Sequence, residues 1–204
     1  MFYRIALWFA KMLFLVYFRL QVEGKENIPQ HGGAVIAANH ASYLDPPAVG
    51  VAMPRKLNFM AKEELFRIPV LAPLIRLLGA FPVRRLSGDR TAITHALTLL
   101  SLGQLMGIFP QGRRASNDDL SFRGGAVFLA LKARVPLIPV AILGSDRAWG
   151  SDRKFPRPKK LRVKIGKPIY LPLLDPPNRQ RQMAEANDKL RAAMRELLKE
   201  DLPG

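Results

Sequence analysis

Cysteine is absent from this chain of 204 residues, and histidine occurs only three times. The lack of cysteine excludes disulfide bonds, cysteine-ligated zinc, iron–sulfur clusters and a cysteine nucleophile. The scarcity of histidine argues against a histidine-rich metal site, and we expect no bound metal. Acidic residues are also few, since 16 Asp and Glu stand against 32 Lys and Arg and leave a formal net charge of +16. Such a cationic chain needs an anionic partner: nucleic acid, anionic lipid or a phosphorylated substrate.

Glycine-rich and serine-elbow motifs are missing as well. The sequence contains no G-x-x-x-x-G-K-[ST], no G-x-G-x-x-G and no G-x-S-x-G, so P-loop, Rossmann-type and serine-hydrolase functions lose their support. No recognised nucleic-acid-binding motif is present, and the most apolar segment suits lipid. We therefore expect no nucleic acid among the partners.

That apolar segment covers residues 2–20 and carries 16 apolar and three basic residues. On a helix, Arg4, Lys11 and Arg19 fall on one narrow stripe. Lys11 lies in the middle, where a charge opposes insertion across a bilayer. We favour an amphipathic helix of residues 1–22 lying in the membrane interface, followed by one domain of residues 23–204. A helix packed on its own domain and a true membrane span remain as alternatives.

Beyond this segment, short apolar runs alternate with helical stretches. This alternation predicts a single α/β domain with a central, mostly parallel or mixed sheet and helices on both faces. The predicted strands are residues 33–38, 57–61, 80–83, 105–109, 137–143 and 161–165. The predicted helices are residues 46–53, 63–78 (broken by Pro69 and Pro73), 89–102, 122–134 and about 178–200.

His40 has the position of a catalytic base, whereas His31 and His95 are expected to face water. His40 directly follows the apolar run 34–38, and ligand-binding groups cluster at the carboxyl ends of strands in α/β sheets. A neutral imidazole there can take a proton if a carboxylate holds its other nitrogen. Asp45 would lie about 140° away on a regular helix, so a turn must fold it back. Because Pro46 favours the first helical position, Asp45 is also a natural N-cap, which leaves a purely structural role open.

Arginine pairs follow two other predicted strands. Arg84 and Arg85 come after residues 80–83, and Arg113 and Arg114 come after the run Phe109-Pro-Gln-Gly. A guanidinium matches a phosphate bidentately, so strand-end arginines are suited to a phosphate site. Taken singly, each could equally be solvated surface charge.

Four sequence blocks occur in order: N-H-x4-D at 39–45, G-x-F-P-V-x-R at 79–85, F-P-x-G-x-R at 109–114 and V-P-x-x-P-V at 135–140. This set resembles the glycerolipid acyltransferases of the 1-acylglycerol-3-phosphate acyltransferase (PlsC) type. The resemblance covers about residues 23–170, and four ordered blocks are far more specific than any one of them.

The resemblance implies direct transfer of a fatty acyl group from acyl-CoA or acyl carrier protein to a lysophospholipid hydroxyl, without a metal or cofactor. It makes His40 the general base and Asp45 its orienting partner, and it gives the 135–140 block a part in the acyl-donor site. It implies that Arg85 and Arg114 bind the phosphate of the acceptor, and we place Gln111 and Gly112 with them in the substrate site. Lys62, Arg84 and Arg113 are our candidates for additional phosphate contacts. The implied location is the cytoplasmic face of an anionic membrane, as a peripheral or monotopic protein.

The chain departs from the family pattern at three positions. Gln111 and Arg113 stand where the third block usually has Glu and Thr, and Arg84 stands where an acidic residue often precedes the arginine of the second block. Each departure makes the site more cationic. Two alternatives to 1-acylglycerol 3-phosphate acylation therefore stay open: acylation of another lysolipid, or a non-enzymatic basic protein that binds anionic membrane.

Overall fold

One mixed sheet forms the centre of the fold in a computed structural model that describes residues 11–69, 71–84, 89–150 and 153–199. Within these ranges it has seven strands, in the order β1-β7-β6-β2-β5-β3-β4. All neighbouring strands pair in parallel except β6 and β7. The strands are β1 (Gln21–Glu23), β2 (Ala34–Ala38), β3 (Leu57–Lys62), β4 (Ala80–Val83), β5 (Leu105–Ile108), β6 (Leu137–Leu143) and β7 (Arg162–Ile165).

Helices cover both faces of this sheet. They are α1 (Asp45–Ala52), α2 (Leu71–Leu77), α3 (Arg90–Ser101), α4 (Gly125–Ala133), α5 (Ser145–Trp149) and α6 (Arg179–Lys199). Side chains of β2 alternate between the faces, as the period of two in a strand requires. Ile36 packs in the core layer that contains α1 and α5, and Val35 packs in the layer that contains α3, α4 and α6. The predicted α/β fold with helices on both faces is confirmed.

Differences from the predicted elements are local. Strand β1 was missed because it has only three residues and two of them, Gln21 and Glu23, are exposed polar side chains. Helix α5 was missed because its five residues are too few for a periodic pattern. The stretch 63–78 is a 3-10 helix, Glu63–Arg67, followed by the separate helix α2. The other predicted strands and helices are confirmed, with ends that differ by a few residues at most.

One antiparallel strand pair decides which strand ends lie together in the sheet. Strands β2 to β6 all run in one direction, and β7 runs against β6 with Arg162 opposite Leu143. Strand β1 is parallel to β7, with Gln21 opposite Arg162. The carboxyl ends of β2, β5 and β6 and the amino ends of β7 and β1 therefore lie at the same edge, which we call the carboxyl edge.

The segment before β1 both contacts the core and presents apolar side chains to solvent. Residues 11–16 are helical, and Phe14, Phe18 and Leu20 are buried in the same layer as α1. Lys11 and Arg19 are exposed, whereas Arg4 lies outside the described residues. Among the helices described, none has the length and apolar character needed to cross a membrane. The membrane-interface role of residues 1–22 stays a prediction.

Candidate active site

His40 and Asp45 form a hydrogen-bonded pair at the carboxyl edge, directly after β2. The Nδ1 atom of His40 lies 3.0 Å from Oδ2 of Asp45. The imidazole is 15% exposed and the carboxylate is fully buried. An anionic acceptor at Nδ1 fixes the tautomer with its proton on that nitrogen, which leaves Nε2 to take a proton from a substrate.

The turn that the spacing required is built by Asp45 itself. Its Oδ2 atom accepts hydrogen bonds of 2.7 Å from the backbone N–H groups of both Ala41 and Ser42. The expectation that Asp45 is an N-cap is wrong: α1 begins at Asp45, its N-cap residue is Leu44, and no side chain caps it. The carboxylate faces backward along the chain because two preceding N–H groups and the imidazole converge on one oxygen.

Residues 109–115 bracket the backbone of His40 from both sides. The N–H of His40 donates to Oε1 of Gln111 at 2.9 Å, and the carbonyl of His40 accepts from the N–H of Ala115 at 2.8 Å. Gln111 is 2% exposed, and its Nε2 donates to the carbonyl of Asp119 at 3.0 Å. These two bonds assign the orientation of the side-chain amide. Both ends of Gln111 are therefore engaged with backbone groups, and its predicted part in substrate binding stays a prediction.

Gly112 makes the sharp turn of this loop possible. Its φ is +69°, and a Cβ there would lie 3.0 Å from the side chain of Arg123. Just before the turn, the ring of Phe109 stacks on the imidazole of His40, with 4.2 Å between ring centroids. The imidazole is thus held by a carboxylate at one nitrogen and by an aromatic face.

The two arginines of the third block have different environments. The guanidinium of Arg114 lies over the ring of Tyr43, 3.6 Å from its centroid. Within the described ranges, Nη1 of Arg114 is buried without a hydrogen-bond partner. Arg114 as a whole is half-buried, so the rest of the guanidinium that lies on Tyr43 is open to an anion.

Arg113, in contrast, is paired with a carboxylate. Its Nη2 atom lies 2.8 Å from Oδ2 of Asp119. The Ser121 hydroxyl, the Ser121 backbone N–H and the Arg113 guanidinium hold the pKa of the Asp119 carboxyl below its usual value. The pair therefore stays ionised at neutral pH, and Arg113 meets a substrate with its charge already compensated.

Two other predicted phosphate contacts are also paired. Nε of Arg84 lies 2.7 Å from Oε2 of Glu63, and this hydrogen bond raises the pKa of the Arg84 guanidinium. Nζ of Lys62 lies 3.1 Å from Oε1 of Glu64. Arg84 follows β4, which is the third strand along from β2 in the sheet. At a spacing of about 4.8 Å between neighbouring strands, β4 lies about 14 Å from β2. Arg84 lines a separate cavity of about 750 Å³ with Asp89. Arg85 lies outside the described residues, so its phosphate contact stays a prediction.

A cavity of about 830 Å³ opens beside His40. It is lined by Ala41, by residues 113–118 and by Asp146 and Gly150. Arg114 thus contacts a space large enough for a polar headgroup and immediately adjacent to the turn that holds His40 and Asp45. The 135–140 block, by comparison, leads into β6, where Leu137 and Ile138 are fully buried. Its part in the acyl-donor site stays a prediction.

Sequence reasoning missed three residues that organise this site. Asn39 is fully buried, and its side chain accepts from the N–H of Ile142 at 2.6 Å and donates to the carbonyl of the same residue at 2.9 Å. Tyr43 supports Arg114, and Asp119 holds Gln111 and Arg113. Asn39 and Tyr43 lie within the first block. For Asn39, the available signal was a polar residue at the end of a buried strand. Nothing local marks Asp119.

The chain is similar to known acyltransferases over most of its length. A model of the acyltransferase family matches residues 19–143. A 1-acyl-sn-glycerol-3-phosphate acyltransferase from Bacillus subtilis is 34% identical over 152 residues, which cover 74% of this chain and 74% of the relative. The chloroplastic 1-acyl-sn-glycerol-3-phosphate acyltransferase LPAT1 of Arabidopsis thaliana is 28% identical, over 81% of this chain and 48% of its own length.

A solved structure shares the fold. The crystal structure of the 1-acyl-sn-glycerophosphate acyltransferase PlsC from Thermotoga maritima superposes with a TM-score of 0.75 at 26% identity, covering 98% of this chain and 81% of that one. The chain therefore belongs to the acyltransferase family, which confirms the resemblance drawn from its four sequence blocks and makes it an enzyme of the O-acyltransferase class.

Proposed function

We propose that this enzyme transfers a fatty acyl group from a thioester, acyl-CoA or acyl carrier protein, to the free hydroxyl of 1-acylglycerol 3-phosphate, giving phosphatidic acid for phospholipid synthesis. The observation that carries the proposal is the His40–Asp45 pair at 3.0 Å beside a cavity lined by Arg114. The named relatives act on the same acceptor.

The chemistry is a direct transfer. Nε2 of His40 removes the proton from the acceptor hydroxyl as its oxygen attacks the thioester carbonyl. The buried carboxylate of Asp45 stabilises the imidazolium that forms, since it already accepts at Nδ1. The carbon–sulfur bond then breaks, and the leaving thiolate takes the proton back from the imidazolium. No metal or further cofactor is needed to balance these steps.

Phosphate recognition belongs to Arg114, together with Arg85. A phosphate in the adjacent cavity would pair with the guanidinium of Arg114, which lines that cavity, and the Tyr43 ring holds this guanidinium in a fixed plane. Fixing the phosphate also positions the glycerol hydroxyl against His40. Because such an acceptor is a membrane lipid, the enzyme works at an anionic bilayer, on its cytoplasmic face where the thioester donors are found.

The test offers the purified enzyme 1-acylglycerol 3-phosphate, glycerol 3-phosphate and uncharged or zwitterionic lysolipids, each with acyl-CoA or acyl carrier protein, and follows free thiol. We expect 1-acylglycerol 3-phosphate to give the highest kcat/KM. The departures from the family pattern at Arg84, Gln111 and Arg113 leave one competing outcome, a different anionic lysolipid, and a higher kcat/KM on such an acceptor would replace the assigned substrate.

Removing the guanidinium of Arg114 should impair acceptor binding and transfer together. We expect Arg114→Gln to raise the acceptor KM by about 10-fold, the worth of one charge-assisted hydrogen bond, and to lower kcat because the hydroxyl is no longer held against His40. Arg113→Gln is the matched control. Since Arg113 is already paired with Asp119 and is exposed, its loss should have a smaller effect that fades with added salt. Equal effects of the two substitutions at high salt would contradict the assignment.

A further inference from the structure

A strongly basic loop with an exposed aromatic residue lies between α5 and β7. Residues 153–160 contain five basic residues and no acidic one. Phe155, in the middle of this loop, is 79% exposed, and Lys154 and Arg157 on either side of it are exposed as well. The loop therefore presents a large aromatic ring among cations.

The loop contacts the end of the amino-terminal segment. The hydroxyl of Tyr17 donates to the carbonyl of Pro156 at 3.4 Å, and the N–H of Leu161 donates to the carbonyl of Phe18 at 3.0 Å. This proximity follows from the topology, because β1 and β7 are parallel neighbours that both start at the carboxyl edge. Two segments far apart in sequence are therefore adjacent in space, at the edge that carries His40.

The amino-terminal segment adds apolar side chains to this surface. Phe14 and Phe18 point into the core, while Leu13, Val16 and Tyr17 are exposed, Val16 to 70%. Residues 13, 16 and 17 share one side of a helix, since positions three and four apart are neighbours. Exposed apolar groups thus lie beside the basic loop.

A chain of aromatic contacts leads from the loop to the phosphate site. The indole N–H of Trp149 donates to the carbonyl of Arg153 at 3.1 Å, and the Trp149 ring lies 5.4 Å from that of Tyr43. Tyr43 in turn supports Arg114. The basic loop is therefore attached to the wall of the site rather than remote from it.

We propose that Leu13, Val16, Tyr17, Lys154, Phe155 and Arg157 form one lipid-docking surface that binds an anionic bilayer and holds the carboxyl edge against it. This inference rests on the proposed function, since it concerns how a lipid acceptor reaches the site. An anionic bilayer fits both halves of the surface: phosphates pair with the cations, and the apolar side chains enter the acyl boundary. An acidic protein such as acyl carrier protein would satisfy only the charges.

The experiment measures partition of the full chain onto vesicles of phosphatidylcholine with or without phosphatidylglycerol. Phe155→Ser should weaken partition onto mixed vesicles by about 10-fold, because the ring no longer enters the bilayer. Lys154→Gln with Arg157→Gln should weaken it by about 25-fold, roughly fivefold for each charge, and should change partition onto pure phosphatidylcholine little. Point variants are preferred to a deletion, which would remove Phe14, Phe18 and Leu20 from the core.

Matched controls lie at the opposite edge of the sheet. Leu102 is 68% exposed just before β5, so Leu102→Ser removes an equally exposed apolar group. The double substitution Lys56→Gln and Lys132→Gln removes two exposed positive charges, as many as the double substitution in the basic loop. Lys56 precedes β3, and Lys132 precedes β6. Weakened partition in the surface variants but not in the controls supports the proposal, and equal partition of all variants overturns it.

Turnover separates this inference from the proposed function. With a short-chain acceptor free of vesicles and acyl-CoA as donor, the surface variants should turn over as fast as the unchanged enzyme. Absence of turnover in the unchanged enzyme would refute the proposed function alone. The opposite result is that the surface variants still bind vesicles but lose turnover only when acyl carrier protein is the donor. That result would overturn the lipid assignment and identify the basic loop as a docking site for the carrier.

Discussion

Replacing His40 by alanine is expected to lower turnover by about 10²- to 10⁴-fold, the usual contribution of a positioned general base. The fold should survive, because Asp45 keeps the N–H groups of Ala41 and Ser42 as donors and therefore still closes the turn. The measurement is kcat for thiol release with 1-acylglycerol 3-phosphate, alongside circular dichroism and thermal unfolding.

His31→Ala is the matched control, since His31 is exposed in a turn remote from the pair. It should leave kcat and the unfolding temperature unchanged. A folded His40→Ala enzyme with near-normal kcat would show that the base is another group, and the mechanism given above would have to be abandoned.

Replacing Gln111 by glutamate, which restores the residue usual in the family pattern, is expected to destabilise this enzyme. A carboxylate can still accept from the N–H of His40, but it would turn its second oxygen toward the Asp119 carbonyl, where Nε2 now donates at 3.0 Å. Two acceptors would face each other at a position that is 2% exposed. We expect a loss of about 2 kcal/mol or more in the free energy of unfolding, which corresponds to about 4–8 °C in Tm for a chain of this size.

The loss should depend on pH in a defined direction. Burial and the facing carbonyl raise the pKa of the introduced carboxyl, because the protonated form can donate to Asp119. The folded variant then binds a proton that the unfolded chain has released, so its stability relative to the unchanged enzyme falls as pH rises from about 5 to 7. Gln104→Glu is the matched control, since Gln104 uses only its oxygen toward Asn58. A Gln111→Glu enzyme as stable as this control at pH 7 would show that residues 111–119 rearrange to admit a carboxylate.

Much of the site could be predicted from the sequence because its residues follow strands. His40 comes after a run of five buried residues, so its place at the carboxyl edge depends only on recognising that run. A catalytic pair required a turn that returns Asp45 onto His40, and the structure has this turn, with 3.0 Å between Nδ1 and Oδ2. The capping role was predicted wrongly. The preference of Asp for the N-cap before a proline takes no account of the preceding turn, in which the N–H groups of Ala41 and Ser42 donate to the Asp45 carboxylate instead.

The remainder depends on contacts between segments far apart in the chain. Arg113 and Arg114 are adjacent in sequence, yet one pairs with Asp119 and the other lies on Tyr43. The third sequence block singles out Arg114 by its position, but it does not show which partner either guanidinium meets. The antiparallel direction of β7 against β6 likewise depends on how the chain returns to the sheet, which four residues of strand sequence do not reveal.

The side chain of Asn39 has a consequence for motion at the His40 imidazole, the proposed base. Because its amide pairs with both backbone groups of Ile142, it acts as one more peptide unit in the ladder between β2 and β6. His40 therefore directly follows a residue that is fixed to the sheet, and it does not belong to a free loop. Displacements of a sheet interior are smaller than those of loops. The imidazole therefore shares the small amplitude of the sheet.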